Sequence, residues 1–143
     1  MTPPRLILDT NVLLSGLMGR PGTMAHRLYK QFERGEVRLV FSASLLSEIQ
    51  DVVGYPGILA RGMSPGLAFK LARDLYELGE YYPKVERYDW PSLPDRKDWF
   101  LLDLLYTSAA SALLTQDERL REAGQKLGLP VLNLIEGAER GWF

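Results

Sequence analysis

The chain has 143 residues, with no cysteine and one histidine, a length that suits one domain covering 1–143 and a composition that excludes disulfides, thiol nucleophiles and cysteine zinc sites. Its formal net charge is −1, from 17 basic and 18 acidic residues, so it lacks the basic footprint of many nucleic-acid domains. No apolar run reaches the ~18 residues of a membrane span, and no basic-then-apolar leader opens the chain, so we expect a cytoplasmic protein without a membrane partner.

Short apolar runs alternate with helical patterns along the whole chain. In chain order, they predict a strand at 5–9, helices at 11–18 and 23–33, a strand at 37–41, helices at 42–53 and 64–78, a strand at 84–88, a helix at 98–110, a strand at 112–115, a helix at 118–127 and a strand at 130–134. Ser42 or Ser44 and Ser64 are candidate N-caps, and the glycines and proline of 54–57 end a helix. This alternation is typical of a three-layer α/β/α fold with a central parallel sheet of four to five strands.

The rest of the chain is organised around the opening stretch 5–13, in which an apolar strand ends on Asp9. Ligands of an open parallel sheet bind just beyond the carboxyl ends of its strands, so Asp9 brings a negative charge to a candidate site. The alternative is that Asp9 only caps the helix after it, because aspartate is a favoured N-cap. The positions of the other carboxylates bear on this choice.

Three more carboxylates fall at the same predicted edge of the sheet. Asp117 follows the strand at 112–115, Glu48 lies one to two turns into the helix after the second strand, and Asp98 begins the helix at 98–110. Clustered carboxylates repel one another and raise one another's pKa, and a bound divalent cation removes that cost. With one histidine and no cysteine, oxygen atoms would hold the ion, which favours Mg²⁺ or Mn²⁺. Such an ion supports phosphodiester hydrolysis, because it activates water and stabilises charge on phosphoryl oxygen.

Four segments resemble, in order, the motifs of the PIN-domain nucleases, the family of the VapC-like toxins. They are LDTNVL at 8–13, SASLLSEI at 42–49, DRKDWFL at 95–101 and LTQD at 114–117, and the resemblance runs from residue 6 to about residue 134. The segments VLLSGL at 12–17 and VGYP at 53–56 are most similar to a branch described as toxin components of toxin–antitoxin pairs.

The resemblance implies both a set of site residues and an activity. The residues around one or two Mg²⁺ or Mn²⁺ ions would be Asp9, Glu48, Asp98 and Asp117, with Asn11 and Thr115 orienting those carboxylates or a water. The implied activity is that of an endoribonuclease that cleaves single-stranded RNA. The implied role is that of a toxin neutralised by a cognate antitoxin, and related proteins suggest a homodimer.

The sequence departs from the family pattern at Gln116, where a small residue, often glycine, precedes the last aspartate. A bulky side chain there would crowd the metal edge or alter the turn. The third ligand is also ambiguous, because Asp95 and Asp98 both stand in the third motif. Spacing to the following apolar helix favours Asp98, and Asp95 is interpreted as a turn residue after Pro94. On a helix Asp103 points about 140° away from Asp98, outside the primary site.

Other conspicuous side chains have an ordinary structural interpretation beside a functional one. His26 fits a surface or half-buried helix position better than a ligand. Trp90 can stack on a base and Arg96 can contact a phosphate, although such residues more often belong to a core or to a solvated face. The terminal Trp142 and Phe143 are expected to dock on the body of the protein or on another subunit.

Two alternatives to the nuclease stay open at the sequence level. The first is a catalytically silent PIN-fold module that binds RNA or protein, favoured by Gln116 and by the missing basic field. The second is a phosphatase of the haloacid-dehalogenase type, which also places an aspartate after strand one. That chemistry needs a second aspartate two residues later, where this chain has Asn11.

Overall fold

The computed structural model describes residues 2–93 and 95–143, in which five strands form one all-parallel sheet. The strands are β1 (Arg5–Leu8), β2 (Arg38–Phe41), β3 (Glu80–Tyr81), β4 (Ala112–Leu114) and β5 (Val131–Leu132). The helices of the described residues are α1 (Thr10–Met18), α2 (Met24–Glu33), α3 (Ala43–Val52), α4 (Pro56–Ala60), α5 (Pro65–Leu78), α6 (Trp99–Ser108), α7 (Glu118–Lys126) and α8 (Leu134–Glu139), and a 3₁₀ turn at Arg96–Asp98 precedes α6. The predicted α/β/α class with a parallel sheet is confirmed.

The strand order β3-β2-β1-β4-β5 places β1 at the centre of the sheet. Leu6 of β1 pairs with Leu39 of β2 on one side and with Ala112 of β4 on the other. From β1 the chain adds strands in one direction to β3 and later extends the sheet in the other direction from β4 to β5. Because parallel crossovers are right-handed, this reversal puts helices on both faces of the sheet.

The central strands are apolar because both of their faces are covered. Leu6 and Ile7 are fully buried, and Leu8 exposes only 3% of its surface. Phe32 of α2 and Leu101 of α6 are fully buried among the helices that cover the sheet. This burial holds the carboxyl ends of β1 and β4 in a fixed register.

Two of the serines predicted to begin helices cap them with their side chains. Ser42 accepts a hydrogen bond from the backbone N–H of Leu45, and Ser64 accepts one from that of Leu67. Pro65 occupies the first turn of α5, where its missing N–H costs nothing. These caps fix where α3 and α5 leave the sheet.

The prediction of a third strand at 84–88 is wrong, because β3 lies at Glu80–Tyr81, directly after α5. Two backbone amides of 84–88 donate to side chains of α6 instead of to a strand partner. The N–H of Glu86 donates to the Thr107 hydroxyl at 3.2 Å, and the N–H of Tyr88 donates to the Asp103 carboxylate at 3.0 Å.

Two short helices were not expected from the sequence. Residues 54–57, predicted only to end a helix, begin α4, which has proline in its first turn. The last strand stops at Leu132, short of the predicted residue 134, because Asn133 and Glu136 form a capping box that begins α8. No helix in the described part of the chain is long and apolar enough to cross a membrane.

Candidate active site

Asp9 extends from the end of β1, and its side chain does not cap α1. Its backbone N–H donates to the carbonyl of Leu114 at 3.0 Å and so continues the pairing of β1 with β4. Asp9 occupies the N-cap position of α1 but makes no side-chain cap hydrogen bond. Its Oδ2 instead accepts a hydrogen bond from Thr115 Oγ1 at 2.8 Å. Capping is therefore not what its carboxylate does.

Thr115 joins the two strand-end aspartates. Its side chain is fully buried, and its hydroxyl both donates to Asp9 and accepts from the backbone N–H of Asp117 at 3.0 Å. The residue thus lies where the sequence suggested that an orienting group would be. Asn11, the other suggested orienting residue, is exposed on α1 at the mouth of the same cavity.

Glu48 of α3 meets the start of α1 through Thr10. The Thr10 hydroxyl donates to Glu48 Oε2, and Thr10 itself is only 3% exposed. Sequence reasoning missed Thr10, although a hydroxyl between Asp9 and Asn11 in the first motif was an available signal. The contact fixes the carboxylate of α3 against the end of β1.

Asp98 and Asp117 both stand at helix starts, but their carboxylates are used differently. Asp98 is at the N-cap of α6 and makes no side-chain cap hydrogen bond. Asp117 Oδ1 accepts from the backbone N–H groups of Arg119 and Leu120 and so caps α7. Asp95 caps the 3₁₀ turn by accepting from the Lys97 N–H at 2.9 Å.

These elements enclose a cavity of about 510 Å³, here named the carboxylate cavity. Its lining residues are Asp9, Thr10, Asn11, Glu48, Val52, Tyr55, Ile58, Asp98, Gln116 and Asp117. The four predicted carboxylates therefore share one cavity, whereas Asp95 and Asp103 do not line it. Within the described residues, no lysine or arginine belongs to this lining. Gln116 projects at the rim, and its backbone does not have the positive φ that would require glycine.

Three carboxyl groups of the cavity, those of Asp9, Glu48 and Asp98, have raised pKa values. Burial, together with the neighbouring Asp9, Asp95, Asp117 and Glu48 carboxylates, raises the pKa of Asp98 to about 6. Burial also raises the pKa of Asp9 and of Glu48, and the hydrogen bonds from Thr115 and Thr10 oppose that rise. The cavity thus holds acidic groups whose charged forms are only partly compensated.

The chemistry of this donor set fits a hard divalent cation. All of the candidate ligands are oxygen atoms, and a cation would relieve the repulsion that raises the pKa of Asp98. As placed, no three His, Asp or Glu side chains of residues 2–93 and 95–143 stand close enough together to hold one ion. Three of the carboxylates are instead hydrogen-bonded, to Thr10, to Thr115 and to the backbone of α7.

Of the other side chains singled out in the sequence, some are packed or buried in the fold and one is exposed. Trp142 and Phe143 pack against the core, so the tail docks on the body of the protein. Asp103 is buried and accepts hydrogen bonds from Tyr88 N–H and Trp90 Nε1–H. Arg96 is exposed beside Trp99.

Comparison with known proteins agrees with this architecture. A family model described as the PIN domain matches residues 5–119, a span that contains all four carboxylates of the cavity. The chain is similar in fold to a solved structure, a domain of a functionally unknown protein from Methanocaldococcus jannaschii DSM 2661. That likeness has a TM-score of 0.56 and 18% identity and covers 90% of this chain and 89% of the other. No curated protein matches the chain.

Proposed function

The chain belongs to the PIN-domain family, and we propose that it is a Mg²⁺- or Mn²⁺-dependent endoribonuclease that cleaves single-stranded RNA. The observation that carries the proposal is the carboxylate cavity. Four acidic side chains from separate elements line it, with no basic residue among the described lining residues. A purely structural role would not require Asp9, Glu48 and Asp98 to be clustered at the cost of raised pKa values.

In this proposal Asp9, Glu48, Asp98 and Asp117 are the residues that would hold the ion. When bound, a divalent cation lowers the pKa of a coordinated water and stabilises negative charge on a phosphoryl oxygen. The residues of the chain keep the carboxylates in position: Thr115 holds Asp9, and Thr10 holds Glu48. Such hydroxyl partners fix ligand orientation in metal sites. The exposed Asn11 at the mouth of the cavity is available to orient a water or the substrate.

We further propose the toxin role, with a cognate antitoxin and a homodimer, on the resemblance of 12–17 and 53–56 to the VapC-like branch. Exposed apolar side chains near the carboxylate cavity support a protein partner at this end of the molecule. Tyr55 lines the cavity at 54% exposure, Leu59 (49% exposed) follows the lining residue Ile58 in α4, and Ile135 (57% exposed) lines another cavity that shares Gln116 with this one. Growth arrest on expression, relieved by the product of an adjacent reading frame, is the expected result. Normal growth on expression would contradict the toxin role.

Cleavage of a labelled, mixed-sequence single-stranded RNA by the pure protein tests the proposed activity. We expect cleavage with Mg²⁺ or Mn²⁺ and none with EDTA. Asp9→Asn and Asp98→Asn should each slow it by more than ~100-fold, since even changes behind the ligands of a metal site cost 10–100-fold. Asp95→Asn is the matched control, because the amide retains an oxygen that accepts from Lys97 and Asp95 does not line the cavity.

Two outcomes would contradict this proposal. If the pure protein shows no metal-dependent cleavage, or if Asp9→Asn cleaves as well as the wild type, the nuclease is excluded. RNA binding without cleavage and without cation affinity would favour the silent binding module. Hydrolysis of small phosphate esters without RNA cleavage would favour the phosphatase.

A further inference from the structure

A second cavity lies next to the carboxylate cavity and differs from it in chemistry. Its volume is about 520 Å³, within the range of sites that hold small organic groups. Two arginines, Arg87 and Arg96, line it together with aromatic side chains that include Tyr88 and Trp99. We call it the arginine cavity. It therefore places positive charge and aromatic rings beside the acidic carboxylate cavity.

Two elements are shared between the cavities. Along the 3₁₀ turn and the start of α6, Arg96 and Trp99 line the arginine cavity while Asp98, between them, lines the carboxylate cavity. Along α3, Ala43 lines the arginine cavity and Glu48, just over one turn later, lines the carboxylate cavity. An extended ligand that crosses this boundary would contact both.

Both arginines have their charges available for a ligand. Arg87 and Arg96 are exposed, and within residues 2–93 and 95–143 neither guanidinium is within ion-pairing distance of a carboxylate. The Arg96 guanidinium lies 5.1 Å from the ring centre of Trp99, which is a cation–π distance. Stacking orients its planar fork of N–H donors, a geometry that matches phosphate oxygens.

A buried carboxylate fixes the wall of the arginine cavity. Asp103 Oδ1 accepts from the backbone N–H of Tyr88 at 3.0 Å and from Trp90 Nε1–H at 2.8 Å. The Tyr88 ring also packs against Tyr106, with ring centres 4.9 Å apart. The charge of Asp103 therefore serves the fold. Asp103 also lines the cavity but is buried, so the exposed Asp89 is the more accessible of these two carboxylates for hydrogen bonds from the amino group of a base.

We propose that the arginine cavity binds the nucleotide next to the scissile phosphate, with its phosphate on Arg87 and Arg96 and its base against Tyr88 and Trp99. The inference rests on the proposed function, which supplies RNA as the substrate. A base can enter only when it is unpaired, so this cavity selects single strands. It also provides the local positive charge that the overall charge of −1 lacks.

The test compares two double variants that remove equal charge. Arg87→Gln with Arg96→Gln changes the arginine cavity, and Arg27→Gln with Arg34→Gln changes two exposed arginines of α2 and its C-cap, which line neither cavity. Fluorescence anisotropy measures the affinity for a mixed-sequence single-stranded RNA and for a duplex of that sequence over a range of salt. The measurements are made in the Asp9→Asn background with Mg²⁺, to limit cleavage, and again with EDTA.

We expect the arginine-cavity variant to bind single-stranded RNA about tenfold more weakly than the control variant, with a smaller loss on the duplex. The slope of its log–log salt dependence should fall by about 0.7, the value for the one phosphate contact that is lost. Equal losses in both variants, equal losses on both RNAs, or no RNA binding by the parent protein would overturn the inference. If the arginine-cavity variant loses single-stranded RNA binding but the wild type never cleaves RNA, the cavity remains a site for an unpaired nucleotide and the nuclease proposal fails.

Discussion

Two threonine hydroxyl groups stabilise the charged forms of two carboxylates in the carboxylate cavity. Thr115 and Thr10 donate to Asp9 and Glu48, and each hydrogen bond favours the charged carboxylate against the effect of burial. Within the described residues, no donor reaches the side chain of Asp98. Burial and four neighbouring carboxylates therefore act on Asp98 together and raise its pKa to about 6.

The raised pKa of Asp98 predicts how metal-free stability depends on pH. Because the folded protein binds this proton more tightly than the unfolded chain, the free energy of unfolding falls as the pH rises from about 4 to about 6. The Asp98→Asn variant lacks this loss, so with EDTA at neutral pH it should melt a few degrees above the wild type, and the gap should close near pH 4. Thermal unfolding followed by circular dichroism measures both.

Glu77→Gln is the control for that melting experiment, because Glu77 is an exposed residue of α5 outside both cavities. This control should melt with the wild type at every pH. An Asp98→Asn protein that is no more stable than the wild type at neutral pH would mean that the carboxylate carries no electrostatic cost.

Some residues of the site could be predicted from sequence because strand ends are visible in it. Asp9 and Asp117 each follow an apolar run, and the ends of parallel strands share one edge. Thr10 could not be assigned in the same way, because its partner Glu48 lies 38 residues along the chain. The role of Asp103 also depends on the path of a loop that has no periodic pattern.

At the scale of elements, α7 packs on β5 through a position where a side chain does not fit. A Cβ added to Gly124 would lie 2.3 Å from Val131 Cγ2 and 2.8 Å from Val131 Cβ. Val131 is itself fully buried in the sheet. The same helix carries Asp117 at its N-cap, so this close contact with β5 bears on the position of a cavity carboxylate.

Gly124→Ala should therefore destabilise the protein by about 1–3 kcal/mol, the usual cost of overpacking a core. Gly57→Ala is the matched control, because a Cβ at Gly57 in α4 would have nothing within 4 Å. The control should be neutral or stabilising by up to ~1 kcal/mol. Urea unfolding measures both changes. Equal stability of Gly124→Ala and wild type would show that α7 shifts without cost.

Helices and strands were predictable where the apolar periodicity is strong. They were missed where an element is very short or where side-chain hydrogen bonds determine the backbone path. The apolar spacing and the Ser64 cap anticipate α5, whereas the two-residue β3 is too short to leave a pattern. The segment predicted in its place, 84–88, has Val85 and Tyr88 as residues that favour strands, but its Glu86 and Tyr88 amides donate to Thr107 and Asp103.

At the scale of the whole molecule, the sheet order explains where the carboxylate cavity lies. The direction in which strands are added to the sheet reverses between β1 and β4, and crevices that bind ligands form at such switch points. Asp9 and Asp117 follow these two strands. The alternation of elements predicts a parallel sheet, but the strand order follows from tertiary pairing. The sequence therefore suggested convergence of the carboxylates without locating the crevice.

Calorimetric titration of the metal-free protein with Mn²⁺ tests most directly whether the carboxylate cavity is a cation site. We expect the wild type and the Glu77→Gln control to bind Mn²⁺ alike and Asp9→Asn and Glu48→Gln to bind at least about tenfold more weakly. No Mn²⁺ binding by the wild type, or equal affinity in all four proteins, would contradict the assignment of these carboxylates as metal ligands.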